Sequence, residues 1–381
     1  MRKVNLLLSI VVVLALLGGV VSCQRSNSGS GSGPTAQQAK PAGLRITIVT
    51  SSGVDDGSFG QDCYMGIVEY LKTHPDDKCT PVNEPDMGKV VQAVADVIAD
   101  YDVLILPGFQ YAPAGALAQD NPTKKLILVD TTPQDANGNE VELPNCYSMI
   151  FQEEESGFFA GLAAALETKA NKVAFVGGMP FPAVVNYHFG FYSGVNYANK
   201  HFGTKAAIID LPSYSGTDVT GTVVGGNYVG GFADEATGKV VANALINQGA
   251  DILFVAAGAS GNGAFTAAKE ATGVFVIGCD VDQYDDGAAG GRNVVLTSGL
   301  KVMHTNVTRQ LTAIANGTFK GQNAILNAST DSTGYVSAPG RHQMSANTVA
   351  KLDETYQLLK KGAIVPAANF NGHKPDNFPG L

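Results

Sequence analysis

The sequence predicts an α/β fold in which two doubly wound domains face a central cleft. Short, nearly continuous apolar runs rich in β-branched residues alternate with longer helical patterns, as in parallel sheets covered on both faces. The alternation occurs in two successive series. The chain beyond Leu44 is about 340 residues, too long for one ordinary core and sufficient for two. Hydrophobic residues make up 45% of the sequence and charged residues 15%, so the material for two cores is present.

In the first series, Leu44–Val49 reads as a strand, Phe59–Leu71 as a helix, and Val103–Leu106 and Leu126–Asp130 as strands. The second series has strands at Val173–Val176, Ala206–Ile209, Ile252–Val255 and Val274–Ile277. Its helices are "VVNYHFGFYSGVNYANK", "ATGKVVANALINQ" and Asn262–Ala271. The series join where "CYSMIFQEEESGFFAGLAAALE" passes from Cys146 into a helix. After Val294-Val295-Leu296 the chain is expected to return to the first domain for a helix near Lys301–Ala315. The expected N-terminal domain is therefore 44–148 plus about 296–316, and the C-terminal domain 149–295 plus about 317–381.

Ahead of these domains, Met1-Arg2-Lys3 and the run "VNLLLSIVVVLALLGGVV" have the plan of a secretory signal. Val20-Val21-Ser22-Cys23 looks like a bacterial lipobox, with 1–22 as signal peptide and Cys23 lipidated. A single membrane anchor is the other reading of the same apolar length. Either places the globular part on the extracytoplasmic face of the membrane. The stretch 23–43, rich in Ser and Gly, reads as a flexible linker.

A net charge of −9 and the lack of a basic run with interleaved aromatics argue against nucleic acid as a partner. Cys63, Cys79, Cys146 and Cys279 show no C-x-x-C spacing and the six histidines no H-x-x-x-H pair, so no metal or cofactor is expected. A Cys63–Cys79 disulfide and isolated buried thiols both remain open. No phosphate-binding P-loop, nucleophile elbow or zinc-protease motif is present, and no catalytic set is expected.

Four strand-end turns stand out, because open parallel sheets bind ligands beyond the carboxyl ends of their strands. In "VTSSGVDDGSFGQDCYMG", Ser51, Ser52 and Asp55 are candidate ligand contacts beside Asp56, Ser58 is placed as an N-cap, and Phe59 can stack on a planar ligand. Asp130 ends "LILVD", either as an Asx turn or as a ligand contact. In "FVAAGASGNGAFTAAKE" a strand runs into Gly258, Gly261 and Gly263 and then a helix, which offers unobstructed backbone N–H groups; the glycine order is not the dinucleotide fingerprint. Finally, "FVIGCDVDQ" brings Asp280 and Asp282 to a strand end, where a carboxylate can accept from vicinal hydroxyls, and Lys301 follows "VVLTSGL". Jointly these describe a site for a sugar-bearing planar molecule.

With these residues the chain resembles the basic membrane protein family of substrate-binding lipoproteins, the group of purine nucleoside receptor A, from about Leu44 to at least Met303. "VDDGSFGQDCYMG", "GADILFVAAGASGNGAFTAAKE" and "VIGCDVDQ" carry the resemblance in order. It implies a type I periplasmic-binding-protein-like fold of two Rossmann-like domains, serving an ABC importer. It also implies a nucleoside in the cleft, its base between aromatic rings and its ribose held by an Asp, a Lys and a Gly-rich loop. By motif, Phe59 is one ring, Asp130 a contact near the base, Asp280 the ribose carboxylate, Lys301 its companion and Gly258 part of the loop. Phe254 or Phe232 supplies the second ring, with Tyr187 or Phe181 as substitutes.

The chain departs from the family where Thr50-Ser51-Ser52-Gly53 replaces a Thr-Asp-x-Gly-Gly opening whose Asp contacts the base, and where Gly60 replaces Asn. "YSGTDVTGTVVGGNYVGG" reads as an insertion forming a mobile surface loop. The expected function is capture of a nucleoside, with a purine as the leading base, and its delivery to an ABC permease in the membrane. The alternatives are an extracytoplasmic ligand sensor of the same fold, or an enzyme acting on nucleosides.

Overall fold

The computed structural model describes residues 43–57 and 59–381. The expected signal peptide, Cys23, nearly all of the linker and the Ser58 cap lie outside the described residues. Among the described residues, no helix is long and apolar enough to cross a membrane.

Two large sheets form. The first runs Gln322–Leu326, Cys146–Phe151, Lys125–Val129, Val103–Pro107, Arg45–Thr50 and Lys78–Cys79, with Val82–Asn83 also on Arg45–Thr50. Every pairing in it is parallel. The second runs Thr333–Tyr335, Val295–Lys301, Phe275–Asp280, Ile252–Ala256, Lys172–Gly177 and Ala207–Ile208. Only Thr333–Tyr335 is antiparallel to its neighbour.

The period-2 alternation of each strand feeds two cores, one on each face of its sheet. Val103 and Ile105 enter one while Leu104 and Leu106 enter the other. In the second sheet Val173 and Phe175 separate in the same way from Ala174 and Val176. The helices Glu153–Glu167 and Pro182–His201 pack at backbone distance because glycines meet across them. A Cβ on Gly161 would lie 2.0 Å from Phe191 O, and one on Gly194 2.0 Å from Phe158 O. That close seating brings Asn186 and Tyr187 over the strand ends.

The chain passes between sheets at Gln152, Val302 and Asn327. Two of these crossings are tied together: Gln152 N–H donates to Leu326 O at 2.9 Å, and Asn327 Nδ2 donates to Gln152 Oε1 at 2.6 Å. The expected return at about 296 is corrected, since Val295–Lys301 is a full strand of the second sheet. Conversely Gln322–Leu326, expected in the C-terminal domain, is the edge strand of the first sheet. Cys146–Phe151 is a strand as well, before the chain turns into Glu153–Glu167. The four cysteines beyond residue 43 are free, and no Cys63–Cys79 bridge forms.

Candidate ligand-binding cleft

The carboxyl ends of both sheets face one cavity. Its lining includes Ser51, Ser52, Phe59, Asp130, Phe232, Gly258, Asp280 and Lys301, so eight of the ten expected contacts converge there. Asp55 does not; it is exposed, and its neighbour Asp56 is the buried one. Asp56 accepts from Ser52 Oγ at 2.6 Å and from the N–H groups of Gly60 and Gln61 at 2.9 and 3.0 Å, which caps the helix Phe59–Leu71. Gly60 is required in this turn, because a Cβ there would lie 2.1 Å from Gly53 O.

Phe254 is the other correction. It shares a strand face with Ala256, which reaches the cavity, but lies two residues deeper and packs in the core, 5.6 Å from the Phe191 ring and 5.7 Å from Tyr187. Phe232 takes the cavity position, 6.0 Å from Phe181, which lies 5.7 Å from Phe109. These three rings form an apolar wall.

A charged cluster forms the other group. Lys301 Nζ lies 2.6 Å from Asp130 Oδ2, 3.6 Å from Asp280 Oδ1 and 3.7 Å from Glu153 Oε1, and 4.6 Å from the Phe59 ring centroid. Asp130 and Asp280 sit at φ 62° and 68°, a conformation that aspartate tolerates better than most residues. Tyr187 Oη donates to Asp280 Oδ1 at 2.9 Å. Burial works against the Lys301 ammonium, but Asp130, Asp280 and Glu153 outweigh it and raise its pKa well above the ordinary lysine value. Burial, then the Asp130 charge, pushes Glu153 well above the usual carboxylate range. Burial also raises Asp280. Asp130 Oδ1 is buried with no hydrogen-bond partner among the described residues, which leaves an acceptor ready for a donor on a bound molecule.

Glu153, Phe109 and Gln110 were missed by sequence reasoning. Phe109 and Gln110 follow the strand Val103–Pro107, so the strand-end rule that selected Asp130 also covers "LILPGFQ". Glu153 lies in "QEEESG", which reads as a solvated helix start; its burial comes from packing, with Asn186 Nδ2 donating to Oε2 at 3.0 Å. The expected insertion makes defined contacts of its own and with the second sheet. Gly216–Thr217 pairs with Val223–Gly225, and buried Asn227 bonds Phe175 O and the Leu211 N–H.

Two lobes, three crossings and one cavity at the strand ends define a type I periplasmic-binding-protein-like solute-binding protein. A solved ABC transporter solute-binding protein from Aeropyrum pernix K1 shares the fold, with a TM-score of 0.72 at 20% identity over 86% of this chain and 94% of that one. The family model of the PnrA-like ABC transporter substrate-binding proteins matches residues 44–210 and 221–364, and the chain belongs to that family. The unmatched segment 211–220 falls at the start of the expected insertion. Among relatives, the CD4+ T-cell-stimulating antigen of Listeria innocua is 28% identical over 95% of this chain and 98% of its own. The ABC transporter nucleoside-binding protein BmpA of Lactococcus lactis is 29% identical over 81% of this chain and 84% of its own. The protein is therefore a substrate-binding component of an ABC transporter, an extracytoplasmic class with a small-molecule ligand and a membrane permease as partners.

Proposed function

We propose that the cleft binds a nucleoside, with a purine as the leading base, and that a lipid on Cys23 holds the protein to the membrane beside its permease. The observation that carries this reading is the juxtaposition of the Phe109–Phe181–Phe232 wall with the Lys301–Asp130–Asp280 cluster in one cavity. Phe59 and Phe232 offer faces for a planar base. Asp130 and Asp280 accept from sugar hydroxyls or base N–H groups, and Lys301 donates. Ser51, Ser52 and Gly258 complete the contacts. The relative from Lactococcus lactis is named for nucleoside binding, which supports the same ligand class here. No bond of the ligand is made or broken in this scheme.

The test is calorimetric titration of the domain from residue 44 onward with nucleosides, free bases and ribose. A nucleoside is expected to bind and ribose alone to bind far more weakly. Phe232→Ala should lower affinity by roughly 5- to 150-fold, the worth of one stacked base. Silence across all nucleosides would sink the reading. For the anchor, labelling of the full chain with a radioactive fatty acid should disappear in Cys23→Ser.

A further inference from the structure

We infer that Gln110 reads the base edge, and that the pocket selects a base by a hydrogen-bond donor and acceptor lying side by side. The inference rests on the nucleoside reading and adds the group that sets its selectivity. Gln110 lines the cavity next to Phe109, at the end of the aromatic wall. The charged lining residues form a separate group: Lys301 Nζ pairs with Asp130 Oδ2 at 2.6 Å and stands 3.6 Å from Asp280, which leaves Asp130 Oδ1 as an acceptor. A base seated against the Phe109 end of the wall meets a neutral amide and the Ser51 hydroxyl at its polar edge.

The amide is both held in place and available. Gly108, at φ 126°, lies beneath it, and a Cβ there would be 2.4 Å from Gln110 Oε1 and 2.6 Å from Nε2, so the amide occupies space that a side chain at 108 would take. Gln110 Nε2 donates to Ser51 Oγ at 3.3 Å and to Pro107 O at 3.4 Å. Both bonds are at the long end for N–H···O and exchange readily for a shorter one to a ligand. An amide presents one donor face and one acceptor face, whereas a carboxylate presents acceptors only. The same bidentate match lets glutamine pair with the N6/N7 edge of adenine. The N–H and C=O of a purine lactam form an equivalent edge. The 2-amino group of guanine adds a second donor, for which a single amide oxygen already engaged by N1–H has no further use.

Three proteins, wild type, Gln110→Leu and Gln110→Glu, are titrated with adenosine, inosine and guanosine. In wild type, guanosine should bind no more tightly than inosine, because its 2-amino group gains no partner. Gln110→Leu should weaken its best ligand roughly five- to hundredfold with an unchanged melting temperature. Gln110→Glu should shift the ratio roughly tenfold or more toward guanosine, whose N1–H and 2-amino group both donate to a carboxylate. Affinities within twofold of wild type in Gln110→Leu, or an unmoved guanosine-to-inosine ratio in Gln110→Glu, would overturn the inference while leaving nucleoside binding intact. Wild-type silence with every nucleoside would overturn both.

Discussion

Each sheet ends a central strand with an aspartate at positive φ, Asp130 in the first and Asp280 in the second, yet the two carboxylates are employed differently. Asp130 gives one oxygen to Lys301 at 2.6 Å and keeps the other buried, with no hydrogen-bond partner among the described residues. Asp280 takes the Tyr187 hydroxyl at 2.9 Å, stands 3.6 Å from Lys301, and has its pKa raised by burial. The same backbone device thus yields an unfinished acceptor in one lobe and a built-in one in the other. The difference lies in what packs above each strand end: Tyr187 reaches Asp280 from the helix Pro182–His201, while among the described residues Lys301 is the side chain that hydrogen-bonds Asp130.

The largest effect should come from removing the shared partner. Lys301→Met leaves Asp130 and Asp280 buried without a cation, and a broken buried pair costs roughly 3–5 kcal/mol. Urea denaturation should show that loss, and calorimetry the loss of ligand binding. A stability change under about 1 kcal/mol would mean that the cluster is wetter than its geometry implies.

Next, Asp130→Asn and Asp280→Asn separate the two carboxylates, since asparagine also tolerates positive φ. Asp130→Asn should lose roughly 10- to 150-fold in affinity and Asp280→Asn less. Equal losses would erase the contrast.

Proton linkage carries the contrast away from the cleft, to a carboxyl whose environment is dominated by burial. Burial raises the Glu154 pKa to about 8. Between pH 6.5 and 8 the unfolded chain holds Glu154 ionised while the folded protein keeps it protonated, so stability should fall as pH rises through that window. His188, lowered to about 3 by burial, is neutral in the folded protein there and mostly neutral in the unfolded chain. Melting temperatures across this range should decline, and Glu154→Gln should flatten the decline. An identical slope in the variant would remove Glu154 from the account.

The smallest effects separate two rings. Phe254→Leu should cost roughly 1 kcal/mol of stability with little change in affinity, and Phe232→Leu the reverse. Thermal melts and titrations run side by side would show whether the wall and the core are as distinct as their packing.

Most strands were legible because a parallel sheet buried on both faces leaves unbroken apolar runs such as "VLILP" and "ILFVA". What escaped had weaker local signals. Cys146–Phe151 leads almost directly into a helix, Gln322–Leu326 begins with two polar residues at an edge, and Val295–Lys301 continues through Thr297, Ser298 and Gly299 past its apolar start. Within the site, strand-end position singled out Asp130, Asp280 and Lys301. Phe254 lies two residues inside its strand, where Ala256, the last residue on the same face, is the one that reaches the cavity. Burial of Glu153 could not be read locally, because it depends on a helix-to-helix approach between residues about thirty positions apart.

The three crossings bear on the order in which the molecule takes shape. As the chain is made from its amino end, the first sheet lacks a covering helix until Ala315 and an edge strand until Leu326. By then five strands of the second sheet have already been synthesised, yet that sheet still awaits Thr333–Tyr335 and the helix Ala346–Lys360. Neither lobe can mature alone on a growing chain. Both reach completion together, near the carboxyl end of the chain.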